Sequence, residues 1–317
     1  MEQTYEKNTF SLRSAKERVE GAVRKILLEN TVSTWKLINF RRFSWMIVDI
    51  ITQIQYTVSM AKIISICNQK GGVGKTSTAV SLSSCLALEG KKTLLIDLDP
   101  QGNATSGVGV DKNAVQKSVY HALLDAAKPE DIIIPTIVDN LFIIPANPNL
   151  SGAEVELVSE MGREGRLRKC LSQLDPSFEY VIIDCPPSFG LLTINSLTAS
   201  HSVLVPIQCE YYALEGLGQL MKTINLIKEN LNENLQIEGI LMTMADFRTK
   251  LTQEVINEVK KHFGDKVYTA VIPRNIRLSE APGFGKPIFL YDKESEGAKK
   301  YKELTEEFLS VNLTPSN

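Results

Sequence analysis

Residues 63–77 read Ile63-Ile64-Ser65-Ile66-Cys67-Asn68-Gln69-Lys70-Gly71-Gly72-Val73-Gly74-Lys75-Thr76-Ser77. A β-branched apolar run ends in three closely spaced glycines, and a helical pattern follows over 76–88. Strand, glycine loop and helix in that order are the setting of a phosphate-binding loop. The glycines let successive backbone N–H groups curl toward one anion, and the helix start adds its positive end. Lys75 then supplies a mobile charge for outer phosphates, and the Thr76 hydroxyl suits a divalent cation. Lys70 precedes the first glycine; spacing alone leaves it open between a solvated loop charge and a second phosphate contact.

Two further apolar runs end in carboxylates. Leu94-Leu95-Ile96-Asp97-Leu98-Asp99 places Asp97 and Asp99 at the end of one strand, and Tyr180-Val181-Ile182-Ile183-Asp184 places Asp184 at the end of another. In open parallel sheets ligands bind beyond the carboxyl ends of strands, so these acids can face a metal and an attacking water. Four apolar residues and then Asp184 fit a magnesium-linked acid.

Outward from these segments, short apolar runs at 63–67, 93–98, 141–145, 180–183, 202–207, 237–242 and 268–272 alternate with helical patterns such as 76–88, 214–229, 253–263 and 296–309. Strands this continuously Val/Ile/Leu-rich are buried on both faces. The fold class is therefore α/β: a mostly parallel, helix-flanked sheet of the P-loop NTPase type. The 317 residues suffice for one large domain or two ordinary ones, and 43% hydrophobic with 23% charged content fits a globular chain. A formal net charge of −2 makes any nucleic-acid contact a matter of a local patch. The five cysteines form no CxxC pair and the three histidines match no metal-ligand spacing, which argues against a disulfide framework and a structural metal. Reduced cysteines without a signal peptide point to a cytoplasmic protein.

Residues 1–59 differ from the rest. They hold both tryptophans and nine Lys/Arg against six Asp/Glu. Residues 10–29 fit an amphipathic helix, and 43–58 are apolar but too short and polar to span a bilayer. Met60-Ala61-Lys62 opens directly into the first strand. Met60 is the expected natural start, with 1–59 an N-terminal extension from upstream translation and 60–317 the ATPase domain. A partner-binding or membrane-surface arm is the alternative.

Lys70-Gly71-Gly72-Val73-Gly74-Lys75-Thr76 resembles the deviant Walker A motif of the MinD/ParA superfamily. Asp97-Leu98-Asp99-Pro100-Gln101-Gly102-Asn103-Ala104-Thr105 resembles the matching segment of ParA/Soj-type partition ATPases. So do Asp184-Cys185-Pro186-Pro187-Ser188, Gln208-Cys209-Glu210-Tyr211-Tyr212-Ala213-Leu214-Glu215-Gly216 and Ile272-Pro273-Arg274-Asn275-Ile276-Arg277-Leu278-Ser279-Glu280-Ala281-Pro282. The similarity runs from residue 60 to about 310, with small departures at Ala245 and Gly283. It implies ATP and Mg²⁺ as ligands, held by Lys70, Gly71, Gly72, Val73, Gly74, Lys75, Thr76 and Ser77, with Pro273 and Asn275 flanking the adenine. It implies Thr76 and Asp184 on the metal side, and Lys70, Lys75 and Asp99 in hydrolysis. It further implies an ATP-dependent homodimer in which Lys70 reaches the partner subunit's phosphates. A side chain at Gly71 would block that approach.

The resemblance also implies non-specific DNA binding through Arg248 and Arg277, with a ParB-type centromere-binding protein stimulating release and a nucleoid-associated location. From the residues alone, a surface arginine or an intramolecular ion pair is the plainer reading of each. Lys250, Lys260, Lys261 and Lys266 are candidates to widen the patch. A MinD-like membrane-associated ATPase is the alternative, but the last helix, with Tyr301, Leu304, Phe308 and Leu309 on one face, reads as core-docking. A nitrogenase-reductase or synthetase relative lacks, respectively, a cluster-ligating cysteine set and a recognisable substrate pocket.

Overall fold

The computed structural model describes residues 61–211 and 213–313. The expectations for 1–59 and for a start at Met60 lie outside the described residues. Eight strands form one sheet: β1 (Lys62–Ile66), β2 (Thr93–Asp97), β3 (Ile134–Pro135), β4 (Leu141–Ile144), β5 (Tyr180–Asp184), β6 (Ser202–Gln208), β7 (Gln236–Ala245) and β8 (Val267–Pro273). Their order is β3-β4-β2-β5-β1-β6-β7-β8. Every pairing is parallel except β3 with β4 at the edge. The two-residue β3 was not foreseen; an isoleucine followed by proline carries no alternating signal, and proline is confined to edges.

The helices, in chain order, are α1 (Lys75–Leu88), α2 (Asn103–Gly107), α3 (Val119–Leu123), α4 (Pro129–Ile132), α5 (Leu150–Glu156), α6 (Arg166–Leu171), α7 (Leu191–Ala199), α8 (Ala213–Asn230), α9 (Lys250–Phe263), α10 (Ile276–Glu280), α11 (Ile288–Tyr291) and α12 (Glu296–Leu313). Each of the four long helices matches its sequence pattern to within a few residues. Thr249 starts α9 by accepting the Thr252 N–H, and Lys260, Lys261 and His262 close it where cations suit the carbonyl end.

Neighbouring strand residues serve opposite faces. Val181 and Ile183 join one core with Leu217, Leu220 and Ile224 of α8, while Ile182 joins the other with Leu82 and Leu86 of α1. That division is why these strands are apolar at every position. Helix α12 covers the second face through Tyr301, Leu304 and Phe308, all essentially unexposed. The Tyr301 hydroxyl is paired with that of Thr78 in α1 at 3.1 Å. Fully burying side chains of this kind stabilises by about 1.5–3 kcal/mol each, so α12 is anchored to the sheet. No helix among the described residues is long and apolar enough to cross a membrane.

Chain order and sheet order part company at β1. The chain leaves β1 for β2, and β5 later returns to lie between them. The carboxyl ends of β1, β2 and β5 thus converge with those of β6, β7 and β8 on one edge, where all five sequence motifs meet.

Candidate functional site

The loop after β1 takes its shape from Gly72 and Gly74, at φ 73° and 90°. Gly74 is the left-handed residue that starts α1. Val73 between them is buried, and its carbonyl accepts a 2.8 Å hydrogen bond from the Thr243 hydroxyl of β7. Lys75 lies under the loop at 6% exposure, its Nζ donating to the Lys70 carbonyl at 3.0 Å. Burial pulls the Lys75 ammonium below its usual value, opposed by the charge of Asp184. Thr76 and Ser77 stay half-buried and face a cavity of about 560 Å³, which is also lined by Gly74, Thr243, Pro273 and Asn275. The Asn275 side chain caps α10 by accepting the Arg277 N–H at 2.9 Å.

Asp184 is wholly buried at the end of β5, and neither carboxylate oxygen has a hydrogen-bond partner among the described residues. Burial, then the neighbouring Asp97 charge, pushes its pKa well up; the Thr76 hydroxyl opposes the rise without reaching hydrogen-bond geometry. Buried carboxylates are ordinarily satisfied. An orphaned one beside a buried lysine, a hydroxyl and a glycine loop is what a phosphate-bound divalent cation requires. These residues fit a magnesium nucleotide.

The paired register Asp97↔Asp184 puts a second acid alongside. Asp97 is engaged inward: it accepts the Thr105 N–H at 2.8 Å, the Thr105 hydroxyl at 2.7 Å and the Asp99 N–H at 3.1 Å. Asp99 instead sits half-buried on the loop, one oxygen accepting the Gln101 N–H at 2.9 Å. The two acids that look alike in sequence are therefore separated by burial.

Lys70 is exposed on the rim and ion-paired with Glu210, which follows β6. Gly71 has an ordinary φ, and a Cβ built on it would meet only the Pro187 Cβ, at 4.0 Å.

Arg248 and Arg277 lie just past β7 and β8 on the same edge. Both are exposed and both are ion-paired within the chain. Arg248 chelates Asp246 through Nε at 2.8 Å and Nη2 at 2.6 Å, holding that carboxyl down at about 2. Arg277 pairs with Glu280 at 2.9 Å and Asp292 at 3.4 Å. Lys250 opens α9 next to Arg248. Lys260, Lys261 and Lys266 do not join them. Lys260 and Lys261 sit at the far end of α9, about 15 Å along its axis, and Lys266 just precedes β8, toward the opposite edge of the sheet.

A family model described as an AAA domain matches residues 61–237, more than half of the chain. The chain is 59% identical over 248 residues to the sporulation initiation inhibitor protein Soj of Bacillus subtilis (strain 168), covering 78% of this chain and 98% of that one. It belongs to the ParA/Soj family of partition ATPases. The chromosome partitioning protein ParA of Myxococcus xanthus (strain DK1622) is 51% identical over 258 residues, 81% of this chain and 91% of that one. Among solved structures, cobyrinic acid a,c-diamide synthase from Mycobacterium smegmatis with bound ADP and magnesium is similar at 38% identity and a TM-score of 0.70, covering 79% of this chain and 94% of that one. Identity to the partition proteins exceeds identity to the synthase.

Three residues to which sequence alone assigns no role, Thr105, Glu210 and Thr243, hold the site. Thr105 braces Asp97 and also accepts the Ala146 N–H at 3.0 Å, tying the β2 loop to β4. Glu210 holds Lys70, and Thr243 holds the phosphate loop. Glu210 belongs to the 208–216 motif, but its partner is not legible in sequence because β1, β6 and β7 are neighbours in space and not along the chain.

Proposed function

We propose that this chain is a Mg·ATP-dependent partition ATPase whose nucleotide state controls dimerisation and non-specific DNA binding. The observation that carries the reading is the unpartnered, buried Asp184 carboxylate beside Lys75 and Thr76 on the edge that also bears Arg248 and Arg277. Lys75 would contact the outer phosphates through its ammonium. Thr76 would ligate the magnesium, with Asp184 behind it. Magnesium supplies charge neutralisation on the phosphates. Asp99, half-exposed beside the buried pair, would orient the attacking water, and Pro273 and Asn275 would flank the base.

Lys70 leaves Glu210 for the partner subunit's phosphates. Two anionic nucleotides brought face to face demand extra cations, and an exposed ion pair is worth only about 0–1 kcal/mol, so the exchange is cheap. The same reasoning covers DNA. Phosphates replace Asp246 at Arg248 and Glu280 at Arg277, and a dimer presents each arginine twice. A ParB-type partner would accelerate hydrolysis and release the protein, so that it would sit on the nucleoid only while ATP is bound.

Gel shift on a random-sequence duplex with ATP, ADP or no nucleotide tests the reading. ATP-selective binding that weakens steeply between 50 and 200 mM salt, on the order of a hundredfold or more for several phosphate contacts, is expected. Nucleotide-independent binding, or none, refutes it.

A further inference from the structure

Four residues at the end of β7 stand between the nucleotide cavity and Arg248, and each is tied to a different neighbour. Thr243 is 2% exposed; its hydroxyl donates to the Val73 carbonyl inside the phosphate loop at 2.8 Å. Its methyl lies 3.9 Å from where a Cβ on Gly74 would be, so loop and strand are in close contact. The Thr243 carbonyl accepts the Cys209 N–H at 3.1 Å, one residue from the Glu210 that holds Lys70. Met244 lines the cavity. The Ala245 carbonyl accepts the Arg274 N–H at 3.1 Å, and the Asp246 carboxylate chelates Arg248.

The backbone at this point is irregular. Met244 has φ 51°, a left-handed conformation in a residue that has a Cβ, and the β7–β8 register shifts between Met242 and Ala245. Such a conformation persists only where the surroundings enforce it, and it clusters at functional joints. A regular ladder on both sides would resist small displacements. A bulged, strained segment passes them on.

We propose that residues 243–246 form a positioning relay in which Thr243 follows the phosphate loop and, through the bend at Met244, sets whether Asp246 holds Arg248 or frees it. The inference deepens the DNA-binding reading and rests on Arg248 being a DNA contact. An anion drawn into the loop orders the N–H groups around Val73 and so fixes its carbonyl. The Thr243 hydroxyl is bonded to that carbonyl and must follow it. Three residues on, the Asp246–Arg248 pair is open to solvent and held by two directional hydrogen bonds, so a small shift of the Asp246 backbone weakens both at once. The relay acts inside one subunit, and nucleotide therefore reaches the DNA surface by a route additional to dimerisation.

The test compares Thr243→Val, which keeps the shape and loses the donor, with Thr243→Ser, which keeps the donor. In the full-length protein carrying Asp99→Ala to prevent turnover, amide exchange of residues 244–249 is followed with and without Mg·ATP. Nucleotide should slow this segment in the parent and in Thr243→Ser, and leave it unchanged in Thr243→Val. ATP affinity of Thr243→Val should fall by roughly fivefold, the worth of one neutral hydrogen bond. At saturating ATP its DNA affinity should rise by clearly less than the parent's, the rise that remains being the share dimerisation supplies. A parent with no nucleotide response at 244–249, or a valine variant that responds like the parent, overturns the relay. If the parent binds no DNA with ATP, the partition reading fails separately, and the exchange comparison still decides the relay.

Discussion

Replacing Asp184 by asparagine should stabilise the nucleotide-free protein while disabling its response to magnesium. Both Asp184 oxygens are buried without a partner. A buried charge without hydrogen bonds costs several kcal/mol and an amide of the same shape about 1–3 kcal/mol; with part of the gain offset by the lost attraction for Lys75, the substitution relieves about 1–3 kcal/mol. At about 2–4 °C per kcal/mol for a domain of this size, Tm should rise by about 2–12 °C. The gain has a pH signature. Burial raises the folded pKa of Asp184 above its unfolded value. The folded state then binds more protons than the unfolded one between the two values, so wild-type stability falls as pH rises through that window. Below about pH 4 both states are protonated and the wild type carries no charge penalty. The Tm difference should therefore be largest at pH 8 and shrink on acidification. In wild type, Mg·ATP at a hundredfold excess over Kd adds about 2.7 kcal/mol; Asp184→Asn should lose most of that gain. Scanning calorimetry of both proteins across pH, with and without Mg·ATP, checks the argument. A lower Tm for the variant at pH 8, or an undiminished Mg·ATP gain, refutes it.

Gly71→Ala should leave ATP binding and Tm nearly unchanged, since a Cβ there meets only Pro187 at 4.0 Å, yet light scattering should show a monomer with saturating Mg·ATP. Asp99→Ala should cut turnover by a factor of at least about 100, as loss of a water-orienting group does, and accumulate the ATP-bound dimer; phosphate release and light scattering report both. Arg248→Glu and Arg277→Glu should each abolish ATP-dependent gel shifts and flatten the salt dependence, with ATP affinity retained. Glu210→Gln frees Lys70 within the subunit, so the ATP concentration giving half-maximal dimer should fall by up to about fivefold, the upper range for an exposed ion pair; sedimentation at graded ATP measures it.

The central features of this fold are legible because the sheet is buried on both faces. Runs such as Thr93–Asp97, with every residue unexposed, leave no alternative to a parallel strand between helices. The phosphate loop is equally plain, because left-handed backbone at Gly72 and Gly74 demands glycine. Less visible are the elements without a polar face. In α7, Leu192, Thr193, Asn195, Ser196, Leu197, Thr198 and Ala199 are all buried, so no helical period shows. The distinction between Asp97 and Asp99 is hidden for another reason. Strand alternation sends both toward the same side, and only the turn at Gly102, which brings Thr105 back over Asp97, buries one and leaves the other on the loop. The ion pairs of Arg248 and Arg277 with Asp246 and Glu280 are local and were readable. Contacts from Lys70 to Glu210 and from Thr243 to Val73 depend on a strand order that no local pattern encodes.

The three cations proposed to act between molecules, Lys70, Arg248 and Arg277, are each held by a carboxylate of the same chain. That arrangement follows from what each must do. An unpaired exposed cation would bind any anion at any stage of a nucleotide cycle, and DNA affinity would then track salt more than ATP. A buried pair would err the other way, since separating it leaves an uncompensated charge at a cost of about 3–5 kcal/mol. Exposed pairs fall between these limits. They are weak enough for a phosphate to displace the carboxylate, and they still impose a competitor that lone or loosely placed phosphates do not readily beat. Discrimination then comes from number. One phosphate exchanged for one carboxylate is close to neutral, but a dimer on a duplex exchanges several at once and releases counterions with each. Under the proposed function, selectivity for the ATP-bound dimer would thus arise from summing many nearly balanced swaps, without any single strong contact.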